Sequence, residues 1–190
     1  MALTLARLKT LCDGEGLKYF VAPDRPMVLL AFGGLNGKYQ VVVPLELDGR
    51  FLQVRTLGYL RCPADNPHLA AVLKILGELN YRMRMTKFGW DPNDGEIVAY
   101  ADVWIEDGDL TQQQFGALFR SLIPTIDLNY PRLTDAIHTG NDPGLQLPSQ
   151  TGGASQLPPE VQSLLDRIRA KSGKGKEKET KEASSPFGRV

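Results

Sequence analysis

Hydrophobic positions recur at helical spacing in three parts of the chain and form short apolar or alternating runs between them. Leucines spaced three and four residues apart predict a first helix over residues 3–15, with Thr4 as its cap. A similar stripe predicts the last helix, which begins after the cap Thr111. Pro124 and Pro131 should bend or break that helix, because proline lacks the N–H that the helical ladder needs.

The second helix is predicted to start at Asn66 and Pro67, an N-cap followed by a proline in the first turn, and to end near Tyr81. Its side chains at intervals of three and four residues should face a sheet. This predicted core-facing stripe consists of Leu69, Val72, Leu73, Leu76, Leu79 and Asn80.

Apolar runs bounded by turn residues predict strands over residues 17–22, 27–32 and 39–47. Asp48 and Gly49 tolerate positive φ and predict a two-residue hairpin turn after the third run. The resulting register sets Leu45 opposite Leu52 and gives the hairpin one apolar face. Because Pro44 has no N–H, we expect it at a sheet margin or a bulge.

A second hairpin is predicted from the strands 82–90 and 96–105 and the loop 91–95. With Trp90 opposite Glu96, one face of this hairpin combines large aromatic rings with arginines, a combination enriched in interface hot spots. We therefore predict that a partner protein binds this face through Arg82, Arg84, Phe88, Trp90, Tyr100, Asp102 and Trp104. The structural alternatives are a helix that covers the face, or stacking of Trp104 on Arg82.

The predicted order α-β-β-β-α-β-β-α, with strands joined by short turns, indicates an α+β fold with an antiparallel sheet. We expect this domain to cover residues 1–139. Composition predicts a Pro/Gly-rich linker over residues 140–157 and a disordered basic tail over residues 172–190. Residues 158–171 predict a short docking helix whose apolar face is Val161, Leu164, Leu165 and Ile168.

The 22 basic and 22 acidic residues give a net charge of zero, but the charges are unevenly distributed. From residue 167 onward, eight basic residues face three acidic ones, so this stretch carries +5 and the rest of the chain −5. An acidic body disfavours nucleic-acid binding, which requires clustered Lys and Arg. Without an apolar run of bilayer length or a signal-peptide block, the predicted location is cytoplasmic, with no membrane partner.

The residues that could support chemistry are few. Cys12 and Cys62 do not suffice for a disulfide framework, and we expect both to be reduced and structural. Neither His68 nor His138 lies in a recognisable catalytic or metal-binding motif. We therefore predict no enzymatic activity, no metal and no cofactor.

Two loops resemble binding sites in composition. The acidic loop that contains Asp91, Asn93, Asp94 and Glu96 has calcium-like ligands but not the twelve-residue frame, so turn formation explains it better. The glycine-rich segment 33–37 lies between two strands and lacks the helix N-terminus that phosphate binding uses. We interpret both as hairpin loops.

The second half of the chain combines a helix that ends at Asn80, a strand-turn-strand unit, Leu-Thr at 110–111 opening a helix, and Tyr-Pro at 130–131 within it. In these features the segment LGELNYRMRMTKFGWDPNDGEIVAYADVWIEDGDLTQQQFGALFRSLIPTIDLNYPRL resembles the YbjN-domain family, which is similar in fold to class I type III secretion chaperones. The resemblance covers residues 3–138 and extends to cyanobacterial or plastid-type members. It implies a small homodimeric adaptor that binds other polypeptides and has no catalytic motif.

The leading hypothesis is therefore a non-enzymatic protein-interaction module, an adaptor or chaperone-like homodimer that binds a partner polypeptide. The alternative is a regulatory domain that senses a small ligand in a closed apolar pocket between helix and sheet. An enzyme ranks third because no catalytic signature is present. A nucleic-acid binder that uses the basic tail ranks fourth.

Overall fold

The structure, a computed structural model, describes residues 2–105 and 108–144 of the 190-residue chain. It confirms the α+β class, although five strands instead of three precede the second helix. The helices are α1 (Leu5–Gly14), α2 (Leu69–Arg82) and α3 (Gln112–Thr139). The strands are β1 (Tyr19–Val21), β2 (Met27–Gly33), β3 (Lys38–Glu46), β4 (Phe51–Leu57), β5 (Leu60–Arg61), β6 (Lys87–Trp90) and β7 (Glu96–Trp104).

All seven strands belong to one antiparallel sheet. β1, β2, β3 and β4 are neighbours in chain order, and β7 lies beside β4. β5 and β6 flank β7, because Ile97 pairs with Leu60 on one side and with Trp90 on the other. Most strands that follow one another through short turns are thus neighbours in space.

The three helices pack on one face of the sheet, which we call the inner face. Leu8 of α1, Ile75 of α2 and Phe115 of α3 join Val54 of β4 in a single hydrophobic core. Burying each such side chain contributes about 1.5–3 kcal/mol. Leu73, which was expected in this core, is 40% exposed, and Ile75 occupies the core position instead.

Threonine caps begin two of the helices as predicted. The Thr4 hydroxyl accepts a hydrogen bond from a backbone amide of the first turn of α1, and Thr111 does the same in α3. The second helix begins at Leu69, later than predicted. The Asn66 side chain accepts a hydrogen bond from the His68 amide at 2.8 Å and so stabilises a turn that precedes the helix.

The predicted register of the first hairpin is confirmed, since Leu45 pairs with Leu52. Its turn is longer than two residues: Leu47–Gly49 form a 3-10 turn in which all three residues have positive φ. The turn is supported by the N-terminal segment, because the Leu3 amide donates to the glycine carbonyl at 2.9 Å. Tertiary contact therefore stabilises a backbone conformation that leucine rarely adopts.

Pro44 lies neither at a sheet margin nor in a bulge, so that prediction is wrong. β3 is an interior strand between β2 and β4. Its pairs with β4 stop at Val42–Arg55 and resume at Leu45–Leu52 in the same register. Pro44 is tolerated because its missing N–H falls in this gap of the ladder.

The second hairpin differs from the prediction by one residue, because Phe88 pairs with Ala99 and not with Val98. The loop is one residue shorter than expected, since the Asp91 amide donates to the Glu96 carbonyl at 2.9 Å. The Asp91 carboxylate accepts from the Asn93 amide at 2.8 Å and stabilises this tighter loop. A slip of one residue moves every side chain of β6 to the opposite face of the sheet.

The prolines do not break α3, which continues unbroken for 28 residues. Pro131 lacks the N–H that would bond to the Asp127 carbonyl. That carbonyl accepts a hydrogen bond from the Asn36 side-chain amide at 2.9 Å instead. The acceptor freed by proline thus anchors the loop between β2 and β3, and the predicted break is wrong.

The linker after residue 144, the docking helix with Val161, Leu164, Leu165 and Ile168, and the basic tail lie outside the described residues. Their boundaries stay predictions. The described residues all fall within the compact unit Met1–Leu147. Within ranges 2–105 and 108–144, no helix has the length and apolar character needed to cross a membrane.

Candidate functional site

The face of the sheet opposite the helices, which we call the outer face, carries a continuous set of large side chains. Pairing across the strands aligns Phe20, Leu29 and Val42 in one row, followed by Arg55 and Tyr100. We define the outer-face cluster as Phe20, Met27, Leu29, Val42, Pro44, Phe51, Arg55, Tyr100, Asp102 and Trp104.

The cluster is most exposed at two positions, Phe20 at 65% and Trp104 at 62%. The Trp104 ring packs against Phe51, with ring centroids 5.0 Å apart. Val42, in the middle of the row, is 5% exposed, and the other apolar members lie between this value and that of Phe20 or are half-buried. Large exposed apolar patches mark interaction surfaces, because monomeric proteins rarely leave them open to water.

Three of the seven predicted partner-binding residues lie in this cluster: Tyr100, Asp102 and Trp104. They alternate along β7 and therefore point to the same face. The alternative in which Trp104 stacks on Arg82 is wrong, because β4 lies beside this part of β7 and brings Phe51 to the tryptophan.

Phe88 and Trp90 point to the inner face, a consequence of the one-residue slip. Phe88 is 3% exposed and belongs to the core. The Trp90 indole donates a hydrogen bond to the Cys62 carbonyl at 2.8 Å. Neither ring is available to a partner on the outer face.

Arg82 and Arg84 are not strand residues. Arg82 ends α2, where it pairs with Glu78 at 2.9 Å, one turn earlier in the helix. Arg84 is an exposed residue of the connection between α2 and β6. The structure does not bring either arginine into the outer-face cluster, which takes its basic side chain from Arg55 instead.

Arg55 and Asp102 are the charged members of the cluster, and the same face also carries Lys38, Glu46 and Lys87 around it. Both are exposed, and they lie on neighbouring strands: Arg55 pairs with Tyr100, two residues from Asp102 along β7. Neither has an ion-pair or side-chain hydrogen-bond partner within the described residues. One charge of each sign is therefore free to pair with an incoming surface.

Sequence reasoning missed the cluster residues on β1 to β4, although a signal was present. In β2 and β3, apolar residues occupy successive positions and do not alternate with polar ones, as in Met27 to Leu30 and Val41 to Val43. A strand with a solvated face normally alternates. Apolar side chains on both faces indicate that the outer face of these strands serves contact.

The sheet edge at β6 is capped at one residue. The Asn80 side chain donates to the Phe88 carbonyl at 2.8 Å and accepts from the Phe88 amide at 2.7 Å. The edge at β1 is only three residues long and is preceded by Lys18. Short edge strands and flanking charge both discourage pairing at an edge.

The glycine-rich loop 33–37 binds an anion supplied by the protein itself. The amides of Leu35 and Asn36 each donate to the Asp127 carboxylate at 2.9 Å, and the Tyr39 hydroxyl donates to it at 2.7 Å. Burial and this carboxylate both raise the pKa of Tyr39. The loop is therefore a structural latch to α3.

The acidic loop after β6 also contains structural interactions. The carboxylates of Asp91 and Asp94 accept hydrogen bonds from amides two residues ahead, at Asn93 and Glu96. The Glu96 side chain accepts from the Gly58 amide at 3.1 Å. Within the described ranges, no group of His, Cys, Asp or Glu side chains has the arrangement of a metal site.

Cys12 and Cys62 are free thiols buried in the interior, as expected for structural residues. Burial, reinforced by the charge of Asp13, raises the pKa of Cys12 to about 12, which makes it a poor nucleophile. His68 precedes α2, and the exposed His138 ring lies 2.7 Å from the Thr134 carbonyl on α3.

A nearly buried arginine joins α2, α3 and the segment after α3. Arg132 contacts Asp142 through two hydrogen bonds of 2.6 Å and Glu78 through one of 2.8 Å. These contacts lower the pKa of Asp142 to about 2, chiefly through the hydrogen bonds from Arg132, and also lower the pKa of Glu78. The network is structural and lies away from the outer face.

Two clefts open to solvent on the described surface. One of about 340 Å³ has a mixed polar and apolar lining that includes Leu60, Arg61 and Glu96. The other, of about 260 Å³, is apolar and lies between the segment after α1, β2 and α3, with Phe32 and Phe119 in its wall. Neither is the closed apolar pocket that the ligand-sensing alternative predicts.

Comparison with known proteins identifies the family of this chain. A family model described as "YbjN: Putative bacterial sensory transduction regulator" matches residues 4–135. The fold is similar to the crystal structure of "YbjN, a putative transcription regulator from E. coli", with 17% identity and a TM-score of 0.50 over 73% of this chain and 94% of that one. A search of curated protein sequences found no match.

Two further solved structures are more distant. The ExsC–ExsE complex gives a TM-score of 0.48 at 18% identity, over 70% of this chain and 97% of that one. The HopA1–SchA chaperone–effector complex gives 0.45 at 12% identity, over 63% and 86%.

Proposed function

The chain belongs to the YbjN family, and from that premise we propose that it is a non-enzymatic protein-interaction module whose outer sheet face binds another polypeptide chain. The observation that carries the proposal is the outer-face cluster. It joins apolar side chains over β1 to β3 with an aromatic pair and two unpaired charges over β4 and β7.

The composition of this face matches a protein partner better than other ligands. Aromatic rings and arginine supply most of the binding energy at interfaces, because they bury large area at a small cost in side-chain entropy. Neither of the two clefts described above is lined by a residue of the cluster, whereas small ligands need a concave pocket. The basic side chains of the face, Arg55, Lys38 and Lys87, are interspersed with the acidic Glu46 and Asp102, whereas a nucleic-acid surface needs clustered Lys and Arg.

The proposal includes the adaptor or chaperone-like role and the homodimer that the family resemblance implies. In this role the module holds a partner polypeptide and performs no chemistry on it. Buried thiols and carboxylates that already accept structural hydrogen bonds support the absence of catalysis.

The test uses the full chain and two matched variants. Trp104→Asp places a charge within the outer-face cluster, and Tyr81→Asp places one at an exposed aromatic position on α2, 91% accessible, away from it. We measure self-association by analytical ultracentrifugation and protein retention from a native extract. Loss of either interaction in Trp104→Asp, but not in Tyr81→Asp, supports the proposal. If both variants behave like the wild type in both assays, the outer face is not a binding surface and the proposal fails.

The second candidate is a small-ligand sensor, whose ligand would bind in the apolar cleft beside β2 and α3, although that cleft is open to solvent. A ligand there would raise the thermal midpoint with the logarithm of its concentration above Kd. Introducing a polar side chain with Ile123→Gln should weaken or abolish that rise. A compound screen with no midpoint shift in the wild-type chain would count against a sensor.

A further inference from the structure

We infer that the turn after β3 presents Leu47 as an anchor for the partner polypeptide, and that the segment bound there carries a large apolar side chain between lysine or arginine residues. The inference rests on the proposed function and specifies both a contact residue and the chemistry of the partner. Its basis is an exposed leucine in a strained conformation, next to the aromatic pair of the outer face and to unpaired carboxylates.

The first step concerns the backbone of the turn. Leu47 has a φ of 49° and Asp48 a φ of 57°. Aspartate, asparagine and glycine enter this left-handed region far more readily than a branched apolar residue does. The Leu3 amide supports the turn by donating to the Gly49 carbonyl, and a side chain at Gly49 would collide with the Leu3 backbone. The fold therefore requires this turn, but the turn does not require a leucine.

The second step concerns the leucine side chain. Leu47 is 52% exposed, and it is not part of the hydrophobic core formed by the described residues. It therefore gains little from burial while its backbone carries a conformational penalty. Residues held in such strained conformations cluster at ligand-binding and switch sites. Stability of the fold does not explain a leucine at this position, whereas contact with a partner does.

The third step concerns the apolar neighbours of the turn. Leu47 directly follows Glu46, whose partner across the strands is Phe51. Phe51 packs on Trp104, which is 62% exposed. The strained turn and the aromatic pair therefore lie at the same end of the sheet. Exposed apolar side chains that are grouped in this way mark an interaction surface.

The fourth step concerns the charges at this end of the sheet. Glu46, Asp48 and Asp102 are exposed, and none of them has an ion-pair partner within the described ranges. The basic residue of the same turn is Arg50, whose Nε donates to the Leu47 carbonyl at 3.2 Å. Carboxylates therefore outnumber basic groups around the leucine, and we call this region the acidic corner.

The other basic side chains on or near the outer face do not neutralise the acidic corner. These side chains are Arg25, Lys38, Arg55 and Lys87. Arg55 and Lys87 pair with Tyr100, four residues along β7 from Trp104, a distance of about 13 Å. Lys38 lies at the opposite end of β3, and Arg25 has the acidic Asp24 next to it. Basic residues on either side of an apolar anchor complement such a corner.

The test selects a random peptide library on the immobilised full chain and measures Kd for the enriched peptides by calorimetry. We expect these peptides to carry leucine, phenylalanine or methionine between lysine or arginine residues. Leu47→Asn is the informative variant, because asparagine tolerates positive φ and the change removes the apolar contact. It should weaken peptide binding at least about tenfold. Its thermal midpoint should not fall below that of the wild type, because the backbone strain is relieved.

Leu73→Asn is the matched control. Leu73 is 40% exposed and lies in the regular helix α2, away from the acidic corner. Its replacement should leave peptide binding unchanged and lower the thermal midpoint, because asparagine is a poorer helix former than leucine. Asp48→Asn keeps a residue that tolerates the turn and removes one carboxylate. It should weaken binding about three- to tenfold, and by less at high salt.

The outcomes separate this inference from the proposed function. Basic-apolar peptides that depend on Leu47 and not on Leu73 support the inference. No enrichment, an acidic consensus, or equal binding to Leu47→Asn overturns it. A thermal midpoint of Leu47→Asn well below that of the wild type also overturns it, because the leucine then serves the fold. In each of these cases the proposed function still stands if Trp104→Asp loses its interaction, and both fail if Trp104→Asp behaves like the wild type.

Discussion

The Asp127 latch offers the sharpest test of how this sequence maintains its fold. Replacing Asp127 with alanine removes one acceptor group from the Leu35 amide, the Asn36 amide and the Tyr39 hydroxyl. Leu35 and Asn36 are exposed, so water can solvate their amides after the change. Tyr39 is only 4% exposed, so its hydroxyl is left buried without an acceptor.

The expected loss follows from these differences in burial. An unsatisfied buried hydroxyl costs about 1–3 kcal/mol. Exchanging two charge-assisted amide bonds for water adds about 1–2 kcal/mol in total. We therefore expect Asp127→Ala to lower the free energy of unfolding by about 2–5 kcal/mol, a large share of the roughly 5–15 kcal/mol typical of a domain.

The assay is urea denaturation followed by tryptophan fluorescence, with hydrogen exchange at the Leu35 and Asn36 amides. Asp135→Ala, at an exposed position on the same helix, is the matched control and should change stability by less than about 0.5 kcal/mol. In a double-mutant cycle, Tyr39→Phe should recover part of the loss, because no buried hydroxyl then remains. Equal stability of Asp127→Ala and the control, with unchanged amide exchange, would refute the latch.

Three further predictions concern other parts of the structure. Arg132→Ala should make the free energy of unfolding depend less steeply on pH in the acid range. In the wild type, Asp142 stabilises the fold above its ordinary pKa of 3.8 and loses that contribution as the pH falls towards about 2. Urea denaturation at a series of pH values measures this dependence. Phe88→Ala should cost about 3–5 kcal/mol in thermal or urea unfolding, whereas Trp104→Ala should cost less than about 1 kcal/mol at a concentration where the chain is monomeric; similar losses would contradict the assignment of faces. Asn80→Ala should speed hydrogen exchange of the Phe88 amide, and unchanged exchange would show that the edge has another cap.

The first hairpin shows how far local pattern can specify pairing. Side chains alternate between the two faces of a sheet, so only one register pairs Leu45 with Leu52 and places the apolar residues of both strands on the core side. The turn itself depends on a tertiary contact, because Leu47 adopts positive φ and the amide of Leu3 bonds to the turn. A local rule therefore found the register although it placed the turn residues incorrectly.

The second hairpin shows where the same reasoning fails. The choice between a four- and a five-residue loop depends on the hydrogen bonds of the Asp91 side chain, a small energy that sequence pattern does not reveal. That choice moved Phe88 and Trp90 from the candidate surface into the interior. It left Tyr100 and Trp104 on the surface, because β7 keeps its own alternation.

Hydrophobic period and capping residues predicted the order of the three helices and the two hairpins, the α+β class, the Thr4 and Thr111 caps and the first register. Each of these depends on neighbours along the chain. Three features depended on contacts between distant segments. β4 pairs with β7 and so builds the outer-face cluster. Loop 33–37 closes on Asp127, and Pro131 is accommodated inside a continuous helix because Asn36 satisfies the carbonyl it frees. These contacts exist only after the chain has folded, and for that reason only the tertiary structure could decide which face is open to a partner.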